Sequence, residues 1–546
     1  MNKILLAVSV AAALGIPVWA QPSAQSNAED PPDAADHAVA RVSFLNGSAT
    51  IARGDAGESS PALLNAPLVT GDRVFTSTNG RGELQFDAAN LLRIAPGAEI
   101  RMGDLRYQRL LIQIARGLVT LRVLREGGAP VEISTPSSSL RPARPGTYRI
   151  LVRSDGTSEY TIRVGEAEVF SASGSETLLS GTTLFSRGPV DNPEFMTAPA
   201  IPTDEWDRFS ADRDRAFERN QDVSRYAAPS PEVAGMEDLH GYGRWVYDPN
   251  YGNVWVPTVS VNWTPYRDGR WEWLDFYGWS WVSYEPWGWA PYHYGRWYHG
   301  SWGWGWYPGF GRAGFAGLHN YWRPALVGFV GWGSPGFGST FALGFGNVGW
   351  VPLGPHESFR PWYGRGFGGG ASVTANFGGA GSYQNARFNA VTGVSAGEFG
   401  RGGRFLRPSM GDVARASAVG APQAVAGHGI SSGARGGAAP RFFSAQSAAT
   451  GPQTGGWRRF DPSSGQASGQ AGQAVHISPR IVNLRPQNGP SDVNPPNFAG
   501  FGGPRENPPS SGAQSPRYSG PPPAQHSSPG GAHRGGDGGG TRGGRR

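Results

Sequence analysis

The chain has 546 residues, enough for several domains, but its 83 glycines and 46 prolines are concentrated late in the sequence, where folding is least expected. It contains no cysteine, which excludes disulfide bonds, thiol nucleophiles, thiolate metal sites and a lipid-modified N-terminal cysteine. The net charge of +6 is uneven, because residues 364–546 hold 18 arginines against 6 acidic residues and the rest of the chain is therefore acidic.

The N-terminus has the pattern of an export signal. Lys3 supplies a positive charge, residues 4–18 form a short apolar run, and Val18-Trp19-Ala20 has the character of a cleavage site. We therefore predict a signal peptide over residues 1–20 and a linker over residues 21–37. An uncleaved anchor is the alternative, but a membrane span needs about 20 apolar residues. The sequence thus predicts a bacterial protein that is periplasmic, secreted or held at the outer cell surface.

Residues 38–187 have a sequence pattern that is typical of an all-β domain. Short apolar segments alternate with glycine and proline, and no long helical period intervenes. Two dipeptides typical of tight hairpin turns, Asn46-Gly47 and Asp155-Gly156, separate pairs of predicted strands. We therefore expect a solenoid-like or sandwich domain built from short strands and hairpins.

Seven motifs follow one another in this domain. In chain order they are Val42-x-Phe44-x-x-Gly47-x-Ala49-x-Ile51, Pro67-Leu68-Val69-Thr70-Gly71-Asp72-x-Val74-x-Thr76, Gly82-Glu83-Leu84-Gln85-Phe86, Leu92-x-Ile94-x-Pro96, Ile114-Ala115-Arg116-Gly117-Leu118-Val119, Pro145-Gly146-Thr147-Tyr148-Arg149-Ile150 and Val164-Gly165-Glu166-Ala167-Glu168-Val169. Their order resembles a FecR-type domain. In the founding members this domain is the periplasmic part of a regulator that passes a ferric-siderophore signal to a cytoplasmic sigma factor. Because a signal peptide is predicted where those regulators have a cytoplasmic segment, the resemblance implies a sensing or interaction module and not the signalling role.

The segment of residues 188–226 contains the best predicted helix, over residues 203–226. Thr203 can cap its N-terminus, and acidic residues follow at the positive end of the helix dipole. A narrow apolar stripe is formed by Trp206, Phe209, Ala216 and Phe217. We expect a connecting helix that lies on the domain after it, and a partner-binding helix is the alternative.

Residues 227–363 are rich in tryptophan, and 17 of the 20 tryptophans lie in this region. The tripeptide Gly-Arg-Trp begins at Gly243, Gly269 and Gly295, with 26 residues between starts. Three Trp-x-Trp pairs also start eight residues apart, and they are Trp271 with Trp273, Trp279 with Trp281, and Trp287 with Trp289. Because alternate residues of a strand face the same side, this spacing predicts an antiparallel meander with paired indole rings.

Three segments of this region, at residues 289–297, 324–329 and 349–355, resemble a second family. Its members are exported bacterial proteins rich in tryptophan and proline, and they often carry a FecR-type domain upstream. The resemblance covers about residues 226–363. Since that family has no established activity, it implies an architecture and not a function.

The tryptophans leave three interpretations open. They can form a self-packed core, exposed platforms for the rings of a glycan or peptidoglycan, or a belt at a membrane interface. Their number exceeds the need of one small core, which favours some exposed rings. Ring stacking and polar donors coincide in one stretch, so we predict ligand binding by Trp287, Trp289, Tyr292 and His293.

Residues 364–546 are predicted to be a disordered tail that is dispensable for folding. Glycine, proline, serine and arginine dominate there, and the apolar residues have no period, so the segment cannot bury enough surface to offset its ordering entropy. Its arginines suit an anionic lipid or another polyanion, and a solvated linker is the alternative. Export argues against intracellular nucleic acid as a partner.

The sequence shows no convincing catalytic or metal site. The tryptophan-rich region contains histidines and glutamates without the helical spacing of a zinc site, namely His293, His299, His319, His356, Glu285 and Glu357. Residues 393–397 match the Gly-x-Ser-x-Gly pattern of a nucleophile elbow, but they fall in the predicted tail, without the strand–turn–helix context of that motif. We therefore predict no catalytic residue, no metal and no cofactor.

The favoured function is non-enzymatic binding or scaffolding at the cell envelope, with a polysaccharide or peptidoglycan as the preferred ligand. A sensor component that lends its FecR-type domain to a membrane signalling partner is the alternative. An envelope hydrolase is the third candidate.

Overall fold

The structure is a computed structural model that describes residues 36–54, 59–220, 233–309, 321–334, 345–363, 379–422 and 457–459. The predicted signal peptide and most of the linker after it lie outside these residues. So does much of the predicted tail. The described part is mainly β, with largely antiparallel sheets, as the sequence predicted. Within it, no helix is both long and apolar enough to cross a membrane.

The N-terminal domain consists of strands and one helix that follows them. The strands are β1 (Ala40–Asn46), β2 (Ala49–Ala52), β3 (Ser59–Pro61), β4 (Pro67–Leu68), β5 (Arg73–Thr76), β6 (Arg81–Gln85), β7 (Asn90–Ile94), β8 (Glu99–Arg106), β9 (Arg109–Val123), β10 (Val131–Ser134), β11 (Ser139–Pro142), β12 (Gly146–Val152), β13 (Ser158–Val164), β14 (Glu166–Ser171), β15 (Gly174–Leu179), β16 (Thr182–Arg187) and β17 (Glu194–Pro199).

Strand β9 is long and belongs to two sheets. Up to Arg116 it pairs with β8 and β10, and from Gly117 onward it pairs with β7 and β12. Gly117 has a φ of +94°, and a Cβ atom there would lie 2.5 Å from the Cα of Ala98. The passage of β9 from one sheet to the other therefore requires glycine. Apolar side chains of both sheets meet in one core, which corresponds to the sandwich of the two predicted arrangements.

One predicted hairpin of this domain is confirmed and the other is wrong. Strands β12 and β13 pair across Asp155-Gly156. At Asn46-Gly47, however, β1 continues to pair with β4 and β6, whereas β2 pairs with β3 and β5 in the other sheet. The dipeptide specifies a tight turn but not the partner of the next strand. The sheet also continues past the predicted boundary at residue 187, because β17 pairs with all of β16.

Helix α1 (Glu205–Asn220) lies on the domain before it, so the prediction that it packs on the following domain is wrong. Trp206 donates its Nε1 hydrogen to Thr120 Oγ1 at 2.9 Å. The fully buried Arg93 of β7 pairs with Asp214 of the helix at 2.6 Å, and Arg213 pairs with Glu83 of β6 at 2.7 Å. The apolar stripe alone fits either domain, and the arginines and carboxylates on the first sheet decide the position of the helix.

The C-terminal domain combines strands with short helices. Its strands are β18 (Gly243–Asp248), β19 (Gly252–Pro257), β20 (Gly269–Leu274), β21 (Gly278–Ser283), β22 (Arg296–Gly300), β23 (Gly303–Tyr307), β24 (Val327–Trp332), β25 (Asn347–Pro352), β26 (Thr392–Ser395) and β27 (Ser417–Val419). Its helices are α2 (Ala290–His293) and α3 (Met410–Arg415), with 3₁₀ turns at Glu237–Leu239, Ala380–Ser382, Gln384–Phe388 and Ala396–Glu398. A last short strand, β28 (Arg458–Arg459), pairs with β17 of the first domain.

The predicted meander is found only in part. Three hairpins form, β18–β19, β20–β21 and β22–β23, but β20 and β21 make a sheet of their own, while β19 pairs with β23. Each Gly-Arg-Trp copy places its tryptophan opposite another tryptophan, and these cross-strand pairs are Trp245 with Trp255, Trp271 with Trp281, and Trp297 with Trp306. The pair Trp287 and Trp289 differs, because it lies in the turn before α2 and not on a strand.

Residues 379–422 belong to the fold, so the predicted tail boundary at residue 363 is placed too early. Strands β26 and β27 flank β25 and β24 in one four-stranded sheet, and Phe399 is buried among indole rings. The glycines here serve close packing: a Cβ atom at Gly393 would lie 2.1 Å from the ring of Trp332, and one at Gly400 equally close to that of Trp279. In the sequence these glycines suggest disorder, but in the structure they leave the space that the indole rings fill.

Candidate functional site

The four predicted ligand residues lie in the core of the C-terminal domain. Trp289, Tyr292 and His293 are 0% exposed and Trp287 is 4% exposed. Tyr292 stacks on Trp287 with ring centroids 6.0 Å apart, and His293 lies against Trp289 and Trp322 at 4.6 and 4.7 Å. These faces are covered by protein, so the expectation of an exposed stacking platform at this stretch is not met.

Helix α2 explains this burial. It turns residues 290–293 inward between the hairpins, and the neighbouring indoles donate to its carbonyl groups. Trp297 Nε1 lies 2.8 Å from the oxygen of Pro291, and Trp306 Nε1 lies 2.8 Å from that of Tyr294. A buried helical turn of this kind needs donors for its free carbonyls, and the repeat supplies them.

Glu285 lies beside this stretch and is 8% exposed. Its carboxylate accepts hydrogen bonds from Trp263 Nε1 at 2.5 Å, from Ser283 Oγ at 3.2 Å and from the hydroxyl of Tyr292. Burial raises the pKa of Glu285 to about 7, although the hydrogen bonds from Tyr292 and Trp263 favour the charged form. A carboxyl group with such a pKa can serve as a general acid, but here both oxygens are engaged by protein donors.

The histidines of the region are placed apart. His293 donates its Nδ1 hydrogen to the carbonyl oxygen of Arg323 at 2.7 Å, and burial lowers its pKa to about 3, so the ring is neutral. His299 stacks on Phe388 at 4.7 Å. His319 lies outside the described residues. In the part of the chain that the structure describes, no three His, Asp or Glu side chains are arranged to hold a metal ion.

A cluster of buried charge joins the two domains. Arg41 of β1 is 0% exposed and donates to Glu237 at 3.0 Å and to Asp238, both in the first turn of the C-terminal domain. It also donates to Gln85 at 2.7 Å and to Asn65 at 3.2 Å. Although burial opposes its charge, Asp238 and Glu237 raise the pKa of Arg41. Burial, together with the charge of Asp238, raises the pKa of Glu237 to about 7.

Other contacts extend this interface. Asn65 donates to the backbone oxygen of Glu285 at 2.9 Å, and Arg53 bridges Asp72 of the first domain and Glu272 of the second. Val39 belongs to the aromatic core of the second domain. All described residues fall in one compact unit, residues 1–484.

An arginine patch lies on the surface of the C-terminal domain, and we define it by Val261, Arg267, Tyr284, Leu406 and Arg407. Three of these side chains are prominently exposed: Val261 by 99%, Tyr284 by 52% and Leu406 by 40%. The members are placed by hydrogen bonds to adjoining residues. The Tyr284 amide donates to the oxygen of Asp268, next to Arg267, at 3.1 Å, and Arg407 Nη2 donates to the oxygen of Asn262, next to Val261, at 3.4 Å. Arg267 Nε donates to Thr392 Oγ1 at 3.3 Å, and Leu406 pairs with the adjoining Gly393 at 2.6 and 3.0 Å.

The two guanidinium groups of the patch have no acidic partner in the part of the chain that the structure describes. Among the described residues no carboxylate forms an ion pair with Arg267 or Arg407, and the polar partners of Arg267 are the Thr392 hydroxyl and the backbone oxygen of Asn389 at 3.1 Å. Partial burial, and then the positive charge of Arg407, lower the pKa of Arg267 to about 10. An anion between these groups would relieve that repulsion.

Residues 236–357 match a family of unknown function, DUF6600. No curated protein matches the chain. Two crystal structures of a candidate anti-sigma factor from Parabacteroides distasonis ATCC 8503 are similar to parts of it. The one at 1.65 Å is 14% identical and has a TM-score of 0.21, and the match covers 23% of this chain and 59% of that chain. The one at 2.50 Å is 12% identical with a TM-score of 0.21, and the match covers 34% and 99%.

The DUF6600 match lies within the predicted tryptophan-rich region of residues 227–363. It therefore agrees with the expectation that this region resembles a family without an assigned activity. The TM-scores of the two solved structures are too low to assign a shared fold. The FecR-type resemblance of the N-terminal domain stays a prediction.

The residues that join the domains and those that form the patch are not predicted from the sequence. For the residues that join the domains, the sequence does contain an indication. Arg41 lies among apolar residues of β1, and a buried arginine needs an acidic partner. No comparable signal marks Arg267 and Arg407, because 140 residues of chain separate them and only the fold brings them together.

Proposed function

We propose that this protein is a non-enzymatic binding protein of the bacterial cell envelope, exported as its N-terminus predicts, and that the arginine patch binds an acidic glycan. The observation that carries the proposal is the pairing of Arg267 and Arg407 without a carboxylate partner among the described residues. The patch thus replaces the stretch of residues 287–293 as the candidate ligand surface.

The chemistry of the patch favours a sugar polymer that bears carboxylates or phosphates. Guanidinium groups bind both anions through paired hydrogen bonds. The half-exposed ring of Tyr284 adds a flat apolar surface of the kind on which sugar rings stack. Envelope polysaccharides and peptidoglycan combine rings with such anions, whereas a neutral glycan would leave the two arginines unpaired.

A binding role fits the state of the nearby ionisable groups better than catalysis does. Glu285, whose pKa is raised to about 7, is held by three protein donors and is almost completely buried. The segment of residues 393–397 lies on β26 and the 3₁₀ turn after it, and not in a disordered tail as expected from the sequence. A strand followed by one such turn is still not the strand–turn–helix of a nucleophile elbow.

The proposal is tested by binding of the full-length protein to a polyuronate, to purified peptidoglycan and to neutral dextran. Removal of one charged hydrogen-bond partner costs about 1.5–3 kcal/mol, so Arg407→Ala should weaken binding to the acidic polymers by about tenfold or more. Tyr284→Ala should weaken it less, and added salt should weaken it for the parent protein.

Arg401→Ala is the matched control, because Arg401 is also exposed and lies in the same segment of chain. It should leave binding unchanged. Equal binding of acidic polymer and dextran, or full binding by the Arg407→Ala variant, would rule out the patch as the ligand surface.

A further inference from the structure

One sheet of the N-terminal domain, which contains β12, β13, β16 and β17, ends in an edge strand that its own chain partly covers. Strand β17 pairs with β16 along its whole length on one side. On the other side it pairs with β28 at two positions, Glu194 with Arg459 and Phe195 with Arg458. Among the described residues, no strand pairs with the rest of that side, so the edge offers further N–H and C=O groups to an extended chain.

Side chains of this edge match the segment that covers it. The guanidinium of Arg187 lies 4.0 Å from the ring centroid of Trp457, and that of Arg458 lies 5.1 Å from that of Phe195. Arg187 is itself held by Glu194 at 3.0 Å. The three covering residues therefore have matched partners on the edge. Trp457 lies against the guanidinium of Arg187, Arg458 lies against the ring of Phe195, and Arg459 is paired with the strand position of Glu194.

The contact between β28 and β17 involves only two residue pairs, so another strand can displace β28. The contact consists of two strand pairings and two cation–π contacts, and contacts of both kinds are weak individually. The segment is tethered through residues 423–456, so it gains from a high local concentration and not from a large buried area. A longer extended chain can form more pairings with β17 than the two-residue β28 does.

We infer that the β17 edge is a binding site for an extended peptide strand with an aromatic residue followed by basic residues, and that Trp457-Arg458-Arg459 occupies it in the resting chain. A partner segment of the same chemistry adds to the sheet at β17 and displaces β28. The site does not depend on the arginine patch, which lies in the other domain.

The resting contact is tested by a disulfide, since the chain has no native cysteine. Glu194→Cys with Arg459→Cys places the two thiols at opposed strand positions, and oxidation of the full-length protein should cross-link them intramolecularly. Glu176→Cys with Arg459→Cys is the control, because Glu176 lies on β15 in the other sheet, and it should remain reduced under the same conditions.

The binding site is tested with a labelled peptide of residues 455–461, Gly-Gly-Trp-Arg-Arg-Phe-Asp. It should bind the full-length Trp457→Ala/Arg458→Ala variant at least about tenfold more tightly than the parent chain, because the variant frees the edge. The same peptide with glutamates in place of both arginines should not bind. Arg187→Ala in the freed variant should weaken binding by removing the contact to the aromatic ring.

Two results would overturn the inference. One is the absence of the specific cross-link when circular dichroism shows that the cysteine variant is folded. The other is equal affinity of the peptide for the parent and the freed variant, or binding that Arg187→Ala does not change.

Discussion

The two domains are built around cores of different chemistry. The N-terminal core is aliphatic, with side chains such as Ile112 and Ile150 alternating along strands whose backbone groups pair in long ladders. The C-terminal core is rich in indoles, and much of the backbone around it is not in strands. Here Nε1 donates to a buried backbone oxygen at 2.8–3.0 Å in several places: Trp297 to Pro291, Trp306 to Tyr294, Trp350 to Tyr266 and Trp362 to Trp279.

Each of these four indoles fills space and also satisfies a carbonyl, which leucine or isoleucine cannot do. A domain with an indole core can therefore bury turns and short helices such as α2 without leaving their carbonyls unpaired. A domain with an aliphatic core depends on its ladders. Its charged groups lie on the outer face of the sheet, where Arg93 and Glu83 meet α1.

Truncation of the chain after residue 363 is expected to have the largest effect on this difference between the two domains. A chain that ends at residue 363 lacks β26, β27 and Phe399, whose ring lies 5.0 Å from that of Trp279 and 5.6 Å from that of Trp271. We expect the C-terminal domain to lose its cooperative thermal transition while the N-terminal domain keeps its own. A chain that ends at residue 422 is the control and should retain both, as calorimetry would show. Unchanged unfolding of the shorter chain would mean that residues 379–422 do not contribute to the aromatic core.

Single core substitutions should sharpen the comparison. Trp350 is 0% exposed, contacts Trp271 edge-to-face at 5.4 Å and donates to the oxygen of Tyr266. Trp350→Ala should cost about 3–5 kcal/mol for the lost volume and a further ~1–3 kcal/mol for the carbonyl left without its donor. Ile112→Ala in the aliphatic core should cost only about 2–5 kcal/mol, since no hydrogen bond is lost.

Urea unfolding followed by circular dichroism measures both free energies. Trp350→Phe is the matched control, because it keeps a ring but not the N–H group, and it should fall between the parent and Trp350→Ala. A smaller loss for Trp350→Ala than for Ile112→Ala would contradict the dual role of the indole.

The interface between the two cores should depend on Arg41. Its removal leaves Glu237 and Asp238 largely buried without their cation, and breaking a buried ion pair in this way costs about 3–5 kcal/mol. We expect Arg41→Met to lower the free energy of unfolding and to move the thermal transitions of the two domains further apart. Arg41→Met combined with Glu237→Gln and Asp238→Asn removes all three charges and should recover much of the loss. If calorimetry gives the same stability for Arg41→Met alone and for the triple variant, this account is wrong.

The smallest expected effect is the contribution of Glu285, in the aromatic domain, to the dependence of stability on pH. Burial raises the pKa of Glu285 to about 7 in the folded chain, above the value of about 4.3 expected when unfolded. The folded state therefore binds the extra proton between these values, and its stability falls as pH rises from about 4.5 through 7. The melting temperature of the C-terminal domain should be higher at pH 5.5 than at pH 7.5, and Glu285→Gln should reduce that difference. A Glu285→Gln variant whose melting temperature changes with pH as much as that of the parent would exclude this contribution from Glu285.

The sequence predicts the fold best where local pattern and tertiary packing agree. The Gly-Arg-Trp repeat encodes a hairpin whose register places Trp271 opposite Trp281, and both the period and the turn residues are local properties. The stretch of residues 287–293 has the same two-residue period, yet it forms a turn and a short helix. Its rings are buried because neighbouring hairpins close over them, and no local pattern contains that information.

The same limit applies to glycine and arginine. Gly393 and Gly400 lie in a segment whose composition is typical of a linker. Only the structure shows that indole rings pack on them and leave no space for a side chain. Arg41 is identified as an interface residue only once Glu237 and Asp238 are seen beside it, since the chain separates them by almost 200 residues. The sequence thus predicts elements well and predicts poorly which distant elements meet.

Strand β9 gives the N-terminal domain a property that its composition does not suggest. Its first half lies in one sheet and its second half in the other, so neither sheet can detach without breaking a ladder of the other. The amide protons of Ile112 and Leu121, on opposite sides of the Gly117 bend, are thus expected to exchange with solvent at one common, slowest rate, set by global opening. A protease that cuts the loops between the outer strands would leave both sheets joined by this one segment.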